Sequence, residues 1–318
     1  MGAITGRPAL AARVPARPGS LLPGRGAMIG LAVGPLIIFY AIFLLFPLGW
    51  SFYMSVHDWP GATFVREPSF VGLENYRRAV FEDRLLRKAI GNTALYAALA
   101  IPFNLLLALA LAVMINALPR LRGLYRTLYF LPVLVSEVTA SILWRYVYQP
   151  RFGLINGALI RLSDATGIAL PLPRWLDDPG LAIPAIVGMT TWKTMGYTLV
   201  IVLAGLQGIP EVFYEAARID GATGWRLFRH ITLPLLRPTL AFLLMTQTIG
   251  ALQVFGPMYV MTKGGPVDST RSVVYHLYDQ AFANFRFGYA SSLAVILFLV
   301  ILVLALLQTR LLATRWEY

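Results

Sequence analysis

The sequence contains no cysteine. That excludes disulfides, thiolate metal sites and thiol catalysis. Histidine is scarce: His57, His230 and His276 stand far apart and no His-Glu-x-x-His occurs, so nothing points to a metal centre. Charge is scarce too. Only 13% of the 318 residues are Asp, Glu, Lys or Arg, about half the share of an ordinary soluble domain. No Gly-x-x-x-x-Gly-Lys-Ser/Thr run is present, which excludes a P-loop for ATP in this chain. Neither a nucleophile elbow nor a membrane-protease motif occurs.

What the chain has in abundance is apolar surface, with 58% hydrophobic residues. This composition is that of a polytopic membrane protein. The net charge of +12 does not indicate nucleic-acid binding. It is scattered around apolar runs, where basic residues set topology. Six segments approach the roughly 20 apolar residues needed to span a bilayer. They lie near 28–50, 89–115, 124–148, 181–208, 235–261 and 289–310. The expectation is an all-α protein of six transmembrane helices. Residues 1–27 carry Arg7, Arg13, Arg17 and Arg25 with Pro, Gly and Ala and no acid, and read as a disordered tail. Residues 28–311 form the membrane domain, and 312–318 a short C-terminal tail. Six spans put both ends on one side. Lys and Arg nearly balance, but the short basic loop with Arg120, Arg122 and Arg126 shares the side of the termini and of the 209–238 loop, so that side is read as cytoplasmic. On the other side, Tyr76 to Ile90 mixes apolar residues with Arg and acids, as a helix along the interface would; a solvated connector fits equally.

One stretch breaks the apolar pattern. Glu215 to Pro238 is a polar island between membrane segments. Pro210 suits a helix start, and Glu211 and Glu215 complement its dipole. Ala216 and Ala217 are helix formers small enough for a partner surface to approach closely. Gly221 can take the positive φ of a helix end. Thr223 is placed to cap a second short helix with Trp225, Leu227 and Phe228.

The order Glu215-Ala216-Ala217, Asp220-Gly221-Ala222, Ile231-Thr232-Leu233-Pro234 resembles, without a gap, the EAA loop of permease subunits of binding-protein-dependent ABC importers. Further elements resemble their carbohydrate branch: Phe70-Val71-Gly72-Leu73-Glu74-Asn75-Tyr76, Leu131-Pro132, Trp192-Lys193-Thr194, and Tyr259 to Pro266, where Lys263 stands in place of a more usual Gly. The resemblance implies the type I ABC importer permease fold in a prokaryotic plasma membrane. It implies no catalysis by this chain, with ATP and Mg held by a partner. The partners implied are a second homologous permease, two copies of a cytoplasmic ATPase and an extracytoplasmic binding protein. It casts Glu215 as anchor in the ATPase groove, Gly221 as the helix break, and Trp225 and Phe228 as packing residues. An amphipathic helix resting on the bilayer is the plainer alternative for this loop.

Depth supplies a further expectation. Asn104, Glu137, Lys193 and Gln247 fall near the centres of four consecutive spans. An ionisable group at mid-bilayer costs roughly 2.5–3.5 kcal/mol, so it should face the bundle interior or a water-filled path. This layer, with Thr246 and Gln253 as further hydrogen-bonding groups and Trp192 and Tyr197 as faces for sugar rings, is a candidate substrate pathway. The alternative is a structural Glu137–Lys193 pair, with amides as interhelical glue. Three function classes follow: an ATP-driven importer of a di- or oligosaccharide or of a glycerol phosphate or polyol, an ion-coupled transporter using Glu137, and a membrane scaffold.

Overall fold

The computed structural model describes residues 25–59, 67–118 and 120–312, with side chains from residue 28. The expected 1–27 tail falls outside the described residues up to residue 24, and a helix is already under way at Arg25. The tail beyond Leu312 likewise lies outside them.

Two compact units divide the chain, one ending at Trp50 and one starting at Ser51. The first holds most of α1 (Met28–Ser55), whose Leu31, Ile37 and Phe43 are exposed. The second begins with a minimal antiparallel pairing of β1 (His57–Asp58) and β2 (Ser69–Phe70), with His57 opposite Phe70. Helices follow: α2 (Glu74–Arg77) running into a π turn at Arg78–Glu82, α3 (Arg84–Asn116), α4 (Arg122–Leu134), α5 (Glu137–Val147), α6 (Leu154–Thr166) and α7 (Ala182–Gln207). Then come α8 (Glu211–Ile219), α9 (Trp225–Leu235), α10 (Arg237–Leu252), α11 (Val273–Tyr278) and α12 (Phe287–Leu312). The fold is all-α, as expected.

Among the described residues four helices, α1, α3, α7 and α12, are long and apolar enough to cross a membrane. The count reaches six if α4 with α5 and α9 with α10 each make one span. The first pair breaks the span expected over 124–148, while the second bends at Leu236, at the start of the span expected over 235–261, whose helix ends at Leu252. α4 and α5 meet at 97° and α9 and α10 at 64°. The first bend has a local cause. Pro132 sits in a 3-10 turn at Leu131–Leu134, Val135 is extended, and Ser136 caps α5 by accepting a hydrogen bond from the Thr139 amide at 3.2 Å. Glu137 is therefore in the first turn of a new helix, where the dipole favours a carboxylate. The segment Tyr76–Ile90, read as an interfacial helix or a solvated connector, is likewise split. Asp83 adopts an extended ψ of 95° and caps α3, accepting from the Leu86 amide at 2.8 Å.

α7 is apolar all round and buried on most sides, the hub of the second unit. α3 lies beside it in the same direction: Tyr96 shares a core cluster with Ile186 and Met189, and Ala108 and Ala112 share one with Leu199 and Val202. Small residues permit the close approach. Ala108 and Ala112 are fully buried. At Gly196 a Cβ would fall 2.0 Å from the Tyr129 carbonyl oxygen, so α4 crosses α7 backbone to backbone. At the starting end of α3, Asn75 ties the β1 region to α2 by donating to the carbonyls of Ser55 and His57, each at 3.0 Å. Tyr76 donates to Ser55 Oγ at 2.6 Å. The Phe70–Tyr76 element thus acts as a clip.

Candidate functional site

The 209–238 loop lies at the end of the bundle where α3 and α7 terminate. α8 starts after Pro210 and closes at Asp220. Gly221 takes φ +78°. Its amide donates to the Arg218 carbonyl at 3.0 Å, and the Ala222 amide donates to the Ala217 carbonyl at 2.9 Å. This double closure is a Schellman stop, and it needs the left-handed residue that glycine supplies. Thr223 is not the cap of the next helix. Gly224, at φ +45°, holds that position and no side chain caps α9; Thr223 supplies only its carbonyl to the Arg226 amide. Glu215, Ala216, Asp220 and Gly221 are exposed, while Ala217, Ala222, Phe228, Leu233 and Pro234 are half-buried. Trp225 is 68% exposed and stacks on Phe228 with ring centroids 5.2 Å apart. Ile219 and Val212 are exposed as well. Tyr214 turns inward to Thr232, its hydroxyl 3.1 Å from Thr232 Oγ1, and moors α8 to the bundle. A moored helix presenting an acid, alanines and unpartnered apolar side chains on one end of a bundle is suited to receive a protein surface.

The second constellation is a cavity of about 590 Å³ among α3, the start of α5, α7 and α10. Asn104, Glu137, Lys193, Tyr197, Thr246, Gln247 and Gln253 all line it. Trp192 is not among the lining residues; it packs against Trp144, ring centroids 5.6 Å apart, in the core. Asn104 is buried and makes three hydrogen bonds. Its Nδ2 donates to Thr194 Oγ1 at 3.0 Å, and its Oδ1 accepts from Thr198 Oγ1 at 2.7 Å and from Gln247 Nε2 at 3.1 Å. This network ties α3, α7 and α10 together, the interhelical glue role. No ion pair within 4.0 Å joins Glu137 to Lys193, though both face the cavity. Glu137 instead lies against Gly256, where a Cβ would come within 3.0 Å of its carboxyl carbon.

Sequence reasoning missed several lining residues. Thr190, Thr194 and Thr198 recur every fourth position along α7, and Tyr96, Ala100 and Asn104 do so along α3. This i, i+4 stripe was the available signal. Thr191 Oγ1 is buried without a hydrogen-bond partner beside the cavity. Phe255 lines it too, stacked on Tyr259 at 5.2 Å.

Residues 104–317 match the model of a family described as binding-protein-dependent transport system inner membrane component. That match covers most of the chain. The chain belongs to this family. The permease is 35% identical over 283 residues to the lactose transport system permease protein of Rhizobium radiobacter, covering 87% of this chain and 91% of that one. It is 34% identical over 291 residues to the sn-glycerol-3-phosphate transport system permease protein of Agrobacterium fabrum, covering 91% and 95%. Among solved structures it resembles a chain of a bacterial alginate ABC transporter in complex with alginate pentasaccharide-bound periplasmic protein. There the TM-score is 0.75 at 25% identity, with 90% and 94% of the two chains covered. The permease fold of ABC transporters is thus established. Lys263 fits this frame: it holds φ +50°, a left-handed conformation that explains why glycine is usual at that loop position in the branch it resembles.

Proposed function

We propose that the permease imports a neutral di- or oligosaccharide by alternating access, driven by ATP hydrolysis on a separate ATPase that grips the 209–238 loop. The observation that carries the reading is the cavity. It brings carboxylate, ammonium, amide, hydroxyl and aromatic groups to one wall, the mixture that recognises a polyhydroxylated ring by hydrogen bonding and stacking. Tyr197, 47% exposed, supplies the aromatic face, and Glu137, Lys193 and Gln253 supply the polar contacts. Asn104 and Gln247 shape the wall by holding the helices. A second permease closes the cavity's open side. Closure of two ATPase subunits, transmitted through Glu215 and the Gly221 stop, moves the helices outward-facing while an extracytoplasmic binding protein delivers the solute. Both termini are cytoplasmic.

The glycerol-phosphate relative keeps a second reading in view. A phosphate wants a guanidinium fork, and no arginine lines the cavity; Lys193 is its sole cation among the described residues. Uptake into proteoliposomes holding the permease, its partner, the ATPase and the binding protein separates the readings. Labelled disaccharide should enter only with ATP and binding protein, and Tyr197→Ala should reduce that uptake. Uptake of glycerol phosphate in place of sugar, or ATP-independent uptake driven by an ion gradient, would overturn the proposal.

A further inference from the structure

At the opposite end of the bundle a separate pocket of about 440 Å³ opens where α3 and α12 begin. Arg78, Arg84 and Arg286 line it, and none of them makes an ion pair within 4.0 Å among the described residues. Two acids, Glu82 and Asp83, line it as well. Glu82 pairs with Arg77 at 3.1 Å. Asp83 accepts from His276 Nε2 at 2.8 Å, from the Tyr289 hydroxyl at 2.6 Å and from the Leu86 amide. Arg78 lies over the Tyr289 ring, 5.2 Å from its centroid. The pocket therefore sets three arginines against two carboxylates, one of them shared with Arg77, and keeps an excess of positive charge.

A second, independent observation concerns its floor. Gln280 and His276 also line it, 9% and 1% exposed, and Gln280 Oε1 and His276 Nδ1 are buried without a hydrogen-bond partner. A carboxylate only accepts, so His276 Nε2 donates to Asp83, and Nδ1 is the ring nitrogen left open towards the pocket. Two buried polar atoms without a partner among the described residues call for hydrogen bonds from a ligand, because leaving such groups unpaired is costly.

Depth identifies the ligand's source. Arg84 and Phe287 are the first residues of two membrane-spanning helices, so the pocket lies at the membrane–water boundary. Val80, Phe81 and Leu85 are exposed on the adjoining turns, apolar where acyl chains would run. We propose that this pocket binds the headgroup of an anionic phospholipid, with phosphatidylglycerol as the fitting form. The unpaired arginines take the phosphate, and the glycerol hydroxyls, which both donate and accept, meet Gln280 Oε1 and His276 Nδ1. A zwitterionic headgroup would bring its own cation among the arginines and bind less well. The inference is independent of which solute the central cavity carries.

The test is native mass spectrometry of the assembled transporter in detergent, titrated with phosphatidylglycerol, phosphatidylethanolamine or phosphatidylcholine. The expected result is retention of phosphatidylglycerol about tenfold tighter than of either zwitterionic lipid. The double variant Arg84→Gln, Arg286→Gln should lose that preference, and Gln280→Leu should weaken it about threefold. Should the double variant fail to assemble, Arg286→Gln alone, in the loop before α12, should still reduce it measurably. Glycerol phosphate at millimolar concentration should leave the lipid bound. Equal retention of all three lipids, retention unchanged in the arginine variants, or displacement by soluble glycerol phosphate would each overturn the proposal, the last by assigning the pocket to a soluble anion.

Discussion

Replacing Gly196 with alanine places a methyl carbon 2.0 Å from the carbonyl oxygen of Tyr129 and 2.6 Å from its carbonyl carbon. The obstacle is backbone, not the end of a flexible side chain, so α4 or α7 must move. Overpacking of this kind costs about 1–3 kcal/mol. Alanine would otherwise gain roughly 0.5–1 kcal/mol over glycine inside a helix. The matched control is Gly91→Ala in α3, where an added Cβ meets nothing within 4 Å. Thermal unfolding of the purified complex in detergent, followed by intrinsic fluorescence, reads both. Gly91→Ala should be neutral or slightly stabilising, and Gly196→Ala should unfold clearly earlier. Because α4 leads into the bend before Glu137, displacing it should also lower solute uptake more than the stability loss alone explains. If Gly196→Ala unfolds and transports like Gly91→Ala, the backbone-to-backbone crossing of α4 on α7 is wrong.

Three further outcomes follow from particular contacts. Burial raises the Asp83 pKa, but the bonds from Tyr289, the Leu86 amide and His276 outweigh it and hold the carboxyl below the usual aspartate value. A depressed folded pKa contributes stability above the unfolded value and loses it as pH falls through the folded one. Asp83→Asn should therefore destabilise by about 1.5–3 kcal/mol at neutral pH, with the gap to wild type closing below about pH 4; a gap constant down to pH 3 would contradict this. Glu137→Gln and Lys193→Met should act additively on stability in a double-mutant cycle, within about 0.5 kcal/mol, because no ion pair joins them; a larger coupling would mean that they pair. Asn104→Ala removes the hub of the α3–α7–α10 network and should cost about 2 kcal/mol, each membrane-buried hydrogen bond contributing roughly 0.6 kcal/mol and the lost packing the rest.

The helices were legible where apolar length alone decides, as in α3, α7 and α12. The bends were not, although their residues stood in plain view. Pro132 and Ser136 read as a span interior until the chain shows Val135 extended and Ser136 capping. Depth counting along a supposedly unbroken span placed Glu137 mid-span, whereas it lines the cavity from a helix start. Asn104, Lys193 and Gln247 do meet at one cavity, on helices that are continuous there. Trp192 shows the limit of residue type as a guide: a tryptophan beside a polar position can equally fill the core, and here it packs on Trp144. The Gly221 stop was legible because a glycine after a short amphipathic helix has few other uses. Which of Thr223 and Gly224 holds the following cap depends on a backbone turn that residue preference does not resolve.

The account rests most heavily on the 209–238 loop as the handle of an ATPase. The direct measurement is co-purification of the ATPase subunit with the wild-type permease and with Glu215→Ala and Gly221→Asp, with ATPase activity read on the same samples. Gly221 has open space around it, so Gly221→Asp perturbs the left-handed stop and adds charge without disturbing the core. The account predicts that the wild type retains the ATPase and that both variants lose it or keep it with hydrolysis uncoupled from solute and binding protein. A permease that purifies alone, with variants indistinguishable from wild type, would reduce the loop to a helix lying on the membrane surface and contradict the account.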